Sequence, residues 1–197
     1  MKKAWDFVSE ARWWIGYIVF VFLLGVACGV IISLVNPDLS RAFFQSYGKS
    51  LQKIGFETDL KTAWFIFERN GGILIGTFVF GLFGLVPTIV AFVNGMIFGM
   101  YFGFLDIYAV LSPLKLIFLI LPHGIFEITA SLVGFGLSTR TGLHWLFAKK
   151  EKRKVFVQDL IASLRVGFFV IALLAVAALV EAFVTPAITC FLFRICF

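Results

Sequence analysis

The chain has 197 residues, 61% of them hydrophobic and 14% charged, with a mean hydropathy of +1.02. A soluble domain carries about 25% charged residues, so this composition excludes a soluble globular enzyme and describes an integral membrane protein. The net charge of +6 comes from basic residues clustered beside apolar stretches, which fits anionic lipid headgroups and argues against nucleic acid as a partner.

Hydropathy predicts an all-α fold: a polytopic membrane helix bundle of about five transmembrane helices with amphipathic interfacial helices, in a single membrane domain over residues 1–197. Residues Lys2 to Arg12 place Trp5, Val8 and Arg12 at helical spacing, an interfacial lead-in. The first span covers residues 13–35, is longer than a cleaved signal and reads as a retained anchor. It carries Gly25 and Gly29 as a small-xxx-small pair, and Asn36-Pro37-Asp38 stops it. Over residues 39–54, Leu39, Phe43, Tyr47, Leu51 and Ile54 share one face while Arg41, Gln45, Lys49, Gln52 and Lys53 lie elsewhere. This is an amphipathic helix, suited to the membrane surface or to a packed cap.

The apolar stretch from Thr62 to Tyr108 is too long for one span and is divided by Pro87. It predicts spans at 62–83 and 87–108, a turn at Gly84 to Val86, and proline at the first helical position. Gly72 and Gly76 form a small-residue row on the second span, and Gly95, Gly99 and Gly103 form another on the third. Such rows let helix backbones approach closely, within a chain or between two copies in a homodimer. After a loop at Ala109 to Ser112, the fourth span covers 113–138, with a kink or widened turn expected at Pro122. The basic loop 139–164 holds Arg140, Lys149, Lys150, Lys152, Arg153 and Lys154. Its last part, through Val157, Leu160, Ile161 and Leu164, approaches a fifth span at 165–184 that ends at Thr185-Pro186.

The three cysteines, Cys28, Cys190 and Cys196, lack metal-ligand spacing and read as small apolar residues, with Cys190–Cys196 the pair within reach on an oxidising side. Lys and Arg are richest at the N-terminus and in the 139–164 loop, which predicts both as cytoplasmic at the plasma membrane and the C-terminus outside.

The residues that stand out are polar and lie inside spans. His123 and Glu127 are four apart on the fourth span and share a helix face. A charged group at bilayer depth costs roughly 2.5 to 3.5 kcal/mol even on lenient scales, so the pair should face protein or water. At about 1.5 Å per residue, His123 lies roughly 15 Å and Glu127 roughly 21 Å from the outer start of their span, and Asn70 about 12 Å into the second. Asn94 on the third span and Glu181 on the fifth complete a set of polar groups directed inward from four spans. Three chemistries fit them: hydrogen-bonded glue between helices, a metal site of His123, Glu127 and Glu181 for zinc or another divalent ion, and a proton or ion path. His144, beside Trp145, reads as interfacial. No P-loop, GxSxG, HExxH or GxGxxG motif is present, so an ATPase or a familiar hydrolase is not indicated.

Asn70, Asn94-Gly95 with Gly99, PHGIFEITA at Pro122 to Ala130, and ALVEAFVTP at Ala178 to Pro186 together resemble the stage II sporulation protein M family of integral membrane proteins. The resemblance implies a multi-span plasma-membrane protein with no established enzymatic activity, whose namesake acts in engulfment and helps localise a complex with cell-wall-degrading partners. It also places the family's characteristic polar residues on Asn70, Asn94, His123, Glu127 and Glu181. The resulting expectation is a membrane scaffold or remodelling component, a homodimer, whose partners are lipids and envelope or membrane proteins. A transporter or channel using the midplane His/Glu site is the alternative, and an intramembrane metalloenzyme the third reading.

Overall fold

In the computed structural model, which describes residues 2–52, 58–81, 84–107 and 113–193, the chain runs through helices α1 (Lys2–Glu10), α2 (Arg12–Val35), α3 (Pro37–Gln52), α4 (Leu60–Phe80) and α5 (Leu85–Ile107). It continues through α6 (Pro113–Phe147) and α7 (Lys152–Leu179), a π-helical turn at Val180–Val184, and α8 (Thr185–Phe193). No strand occurs among the described residues. Among the described residues, four runs are long and apolar enough to cross a membrane: Arg12–Val35, Leu85–Gly103, Ile120–Phe147 and Lys152–Ile188. Helix α4 is long enough at 21 residues, but Glu68, Arg69 and Asn70 at its middle lower its apolarity. The side chains on the outside of the bundle are those a lipid phase would solvate, among them Trp13, Phe20, Ile75, Phe80 and Phe168.

Local sequence explains where the helices start and stop. The Asn36 backbone N–H bonds the Ile32 carbonyl and closes α2, while its side-chain oxygen accepts from the Leu39 N–H and caps α3, whose first residue is Pro37. Asp59 caps α4 by accepting from the Thr62 N–H at 2.8 Å, and that bond holds its carboxyl below the usual carboxylate range. Helix α3 turns Ser40 and Phe44 inward and leaves Leu39 and Phe43 exposed, as a helix packed on the bundle and resting in the bilayer surface would. Lys53 and Ile54, and the predicted loop at 109–112, lie outside the described residues. Gly84 forms the α4–α5 turn with a φ of +68° that only glycine adopts freely, and its N–H bonds the Gly81 carbonyl at 2.7 Å. Helix α5 starts at Leu85, so Pro87 sits third in it rather than first.

The closest helix pair is α2 with α5. A Cβ added to Gly25 would fall onto the Phe92 carbonyl oxygen, and one added to Gly29 onto that of Met96. Reciprocally, Gly95 faces the Phe22 carbonyl and Gly99 that of Val26, while Gly103 meets Ser33. The buried Ser33 hydroxyl bonds the Met100 carbonyl and the Ser40 hydroxyl at 2.9 Å each, tying α2, α3 and α5 together. The glycine row on α5 is therefore used within the chain. On α4, by contrast, a Cβ at Gly72 or Gly76 would meet nothing within 4 Å.

The region read as a basic loop at 139–164 is a helical hairpin. Helix α6 continues to Phe147, α7 begins at Lys152, and only the four residues between them turn, with Glu151 at a φ of 51°. Several polar residues at this end are buried and bonded to neighbours, although the Arg140 Nε and Trp145 Nε1 atoms are buried without a hydrogen-bond partner. The Ser138 hydroxyl donates to the Thr77 carbonyl at 2.6 Å, and the Thr141 and Ser163 hydroxyls are 2.8 Å apart. The Arg140 guanidinium, buried to 7% exposure, lies 3.2 Å from both Glu10 and Asp159 and stacks 4.2 Å from the centroid of the Phe7 ring, which fastens α1 to the hairpin. His144 is also part of this cluster, with Nδ1 2.6 Å from Asp159, and so is more than the interfacial residue its position beside Trp145 suggests. At about 1.5 Å per residue the 35-residue α6 is about 52 Å long, well beyond a hydrocarbon core of about 30 Å, so it cannot lie wholly within one.

The other long run also passes its predicted end. Thr185-Pro186 does not stop the last span; it lies at the start of α8. Proline has no N–H, and its ring would clash with the carbonyl four residues back. The chain accommodates this with a widened turn in which the Thr185 N–H bonds the Val180 carbonyl, five residues back. Cys190 in α8 is disulfide-bonded, unlike the free Cys28, so it is not merely a small apolar residue.

Candidate metal and ligand site

The site is assembled from the middle of α4, α5 and α6 and from the π turn. His123 and Glu127 are presented by successive turns of α6, and Glu181 comes from inside Val180–Val184, where the widened backbone sets its direction. One ligand-capable atom from each of these three residues lies within 4.8 Å of the others. His123 Nδ1 is 3.2 Å from the Thr185 hydroxyl, which in turn donates to the Val180 carbonyl at 3.3 Å. A hydroxyl donating to a carbonyl offers its oxygen as acceptor, and the tautomer that uses it, with the proton on Nδ1, would leave the Nε2 lone pair for a ligand. This is the arrangement by which outer-shell partners orient metal-binding imidazoles.

Asn70 lines the cavity with Glu127, and Arg69 acts electrostatically on both carboxylates. Asn94 donates its amide to the Val90 carbonyl of its own helix at 2.8 Å, so it lines the site rather than joining the triad. All of these residues border a cavity of about 640 Å³, together with Ser131, Thr185 and an apolar wall that includes Phe22, Phe44, Phe98 and Ile97. Two carboxylates held together in a low-dielectric setting repel, and a divalent cation between them reverses the sign of that interaction. One imidazole and two carboxylates suit zinc or another divalent transition metal, and His123, Glu127 and Glu181 would hold it with fewer than four protein ligands.

Sequence reasoning missed Arg69 and Thr185. Arg69 stands in an apolar segment, where a charge is itself a pointer to an internal polar site. Thr185 had no such signal, because a threonine before proline at a span end reads as a stop. The sequence likewise gives no sign of the π turn. Pro186→Ala supplies the N–H that is missing and lets the turn relax to α-helical geometry, moving Glu181 and Thr185 relative to α6. If the triad holds a metal ion, its affinity is expected to fall about 10- to 100-fold with every candidate ligand intact, as for loss of an orienting partner. Titration with zinc in competition with a chromophoric chelator checks this, and unchanged affinity would show that the π turn does not position the site.

The family model described as Stage II sporulation protein M matches residues 18–186, from the first third of α2 to the start of α8. An uncharacterized protein of Methanocaldococcus jannaschii, MJ0793, is 37% identical over 125 residues, covering 61% of this chain and 66% of the relative. The match thus spans just under two thirds of that relative's length. No solved structure matches the chain.

Proposed function

This chain belongs to the Stage II sporulation protein M family of membrane proteins, and from that premise we propose that it is a membrane scaffold or remodelling component whose helix bundle is clasped by a divalent metal ion. The observation that carries this reading is the convergence of His123, Glu127 and Glu181 within 4.8 Å from two separate elements. An ion held there links α6 to the π turn that leads into α8. Metal content per chain, in protein purified without an affinity-metal step, tests it.

A cavity of about 640 Å³ beside the triad favours a second reading, in which the site passes a ligand across the bilayer. Flux into liposomes that is lost in His123→Ala would move the assignment from scaffold to transporter.

The scaffold acts as a homodimer and meets envelope or membrane proteins. With the α5 glycine row consumed by α2, the row left for a second copy is Gly72 and Gly76 on α4, which has open space above it. Gly76→Leu is expected to convert a dimer to a folded monomer in nanodiscs, read by mass photometry. A monomeric wild type would remove the dimer.

The protein sits in the plasma membrane with its N-terminus and the 139–164 hairpin in the cytoplasm. Two features support this. The Arg140–Glu10 ion pair puts the basic N-terminus and the basic hairpin tip at the same end of the bundle. The disulfide at Cys190, beyond the opposite end of the last span, suits an oxidising exterior. A C-terminal alkaline phosphatase fusion is expected to be active, and an inactive one would invert the orientation.

A further inference from the structure

The cavity is larger than a metal ion requires. About 640 Å³ lies in the range of pockets that enclose a molecule of drug or lipid size. Its lining is uneven. His123, Glu127, Glu181, Asn70 and Thr185 are bonded or packed to one another and so form one polar end, with Arg69 beside them. The remaining wall is aromatic and aliphatic. Phe22 packs on Phe98 across α2 and α5 at 6.2 Å between ring centroids, and Phe44 of the interfacial helix α3 packs on Tyr101 at 5.4 Å. The apolar wall therefore climbs from the depth of the triad to α3 at the bilayer surface. Nothing in a purely structural clasp calls for such a lined path.

Charge defines what fits. A divalent ion would offset the two carboxylates, and the Arg69 guanidinium borders the cavity beside them. Such a site attracts a single anionic oxygen group. Asn94, whose amide is committed to Val90, offers its side-chain carbonyl oxygen as a neutral acceptor nearby. We propose that the cavity is a binding site for an amphiphile, taking its anionic carboxylate or phosphate head at the His123–Glu127–Glu181 end against Arg69 and its hydrocarbon chain along the wall of Phe22, Phe44 and Phe98. This rests on the metal reading of the triad, because without the ion the two carboxylates would repel that head.

The test uses the full chain in nanodiscs of neutral lipid, with metal content measured on the same sample. The probes are a pyrene-labelled long-chain fatty acid, its methyl ester and an alkyl phosphate of equal chain length, with acetate and inorganic phosphate as heads without chains. The fatty acid and the alkyl phosphate are expected to bind saturably, at least about tenfold tighter than the methyl ester, a gap of about 1.4 kcal/mol. Acetate and inorganic phosphate are expected not to compete, which separates a lipid ligand from a free anion. Arg69→Gln and chelation should each erase the preference over the ester. Ile97→Trp, which fills the cavity from α5 away from the triad, should abolish binding while metal content stays at the wild-type level. A metal-loaded protein that binds ester and acid equally, or an Ile97→Trp variant that binds as wild type does, would overturn the amphiphile site and leave the metal reading standing. A wild type without metal would overturn the metal reading at the first measurement, and the preference for anions would go with it.

Discussion

Metal content is expected to fall from about one divalent ion per chain to background in His123→Ala, Glu127→Gln and Glu181→Gln, because on the proposed reading each removes one of the three candidate ligands. Removing even an orienting partner costs metal sites about 10- to 100-fold in affinity, so loss of a ligand itself empties the site at ordinary concentrations. The glutamine substitutions separate two explanations of the triad. Glutamine keeps the size and hydrogen-bonding capacity of glutamate, so a cluster that were only interhelical glue would tolerate it with a small loss, about 0.6 kcal/mol for an average membrane hydrogen bond. A metal clasp gives a different pattern: a chelator lowers the thermal midpoint of the wild type, whereas Glu127→Gln and Glu181→Gln already sit at the lower midpoint and do not respond to it. Elemental analysis together with unfolding scans with and without chelator reads both. A wild type that contains no metal and is indifferent to chelator would end the metal reading and return the triad to hydrogen-bonded packing.

The helices were readable from hydropathy, but their ends were not, and the reason is physical. Hydropathy reports what a lipid phase tolerates, so it ends the fourth span at Ser138 and starts the fifth at Arg165. The backbone has no cause to unwind there, because Arg140, Thr141, Asp159 and Ser163 satisfy one another inside the hairpin. The α2–α5 joint was legible as glycine spacing. Its partner was not, since a GxxxG row is compatible with any close neighbour, and only the fold shows that Gly25 and Gly29 meet the row on α5. At the site, the i and i+4 pair of His123 and Glu127 follows from helical geometry alone. The meeting with Glu181 depended on a depth argument along separate spans, to which the Pro186-driven π turn contributes a rotation that no periodicity encodes.

Replacing Gly29 or Gly99 by alanine is expected to destabilise the protein by about 3 kcal/mol or more, at the upper end of overpacking costs, and the double variant to lose folded yield altogether. On helix propensity alone each change would be favourable by about 1 kcal/mol, so the sign is decided by packing. The new methyl at Gly29 lands on the Met96 carbonyl oxygen, and that at Gly99 on the Val26 carbonyl oxygen. Backbone carbonyls in helices cannot rotate aside, so the helices must separate. Gly16→Ala provides the matched control: it is the same substitution on the same helix as Gly29, but in open space, and is expected to be neutral or mildly stabilising. Thermal unfolding of the four variants in one detergent reads the contrast, and equal midpoints for Gly29→Ala and Gly16→Ala would show that the α2–α5 contact does not hold the bundle. The joint also bears on the site, since Phe22 on α2 and Phe98 on α5 are in ring contact on the cavity wall. Spreading these helices draws that wall apart while leaving His123, Glu127 and Glu181 on α6 and the π turn. On the proposed readings, a single alanine variant that still folds is expected to retain metal content and lose affinity for the hydrocarbon part of an amphiphile, and loss of both together would count against assigning the chain to the α2–α5 wall and the head to the α6–π-turn end.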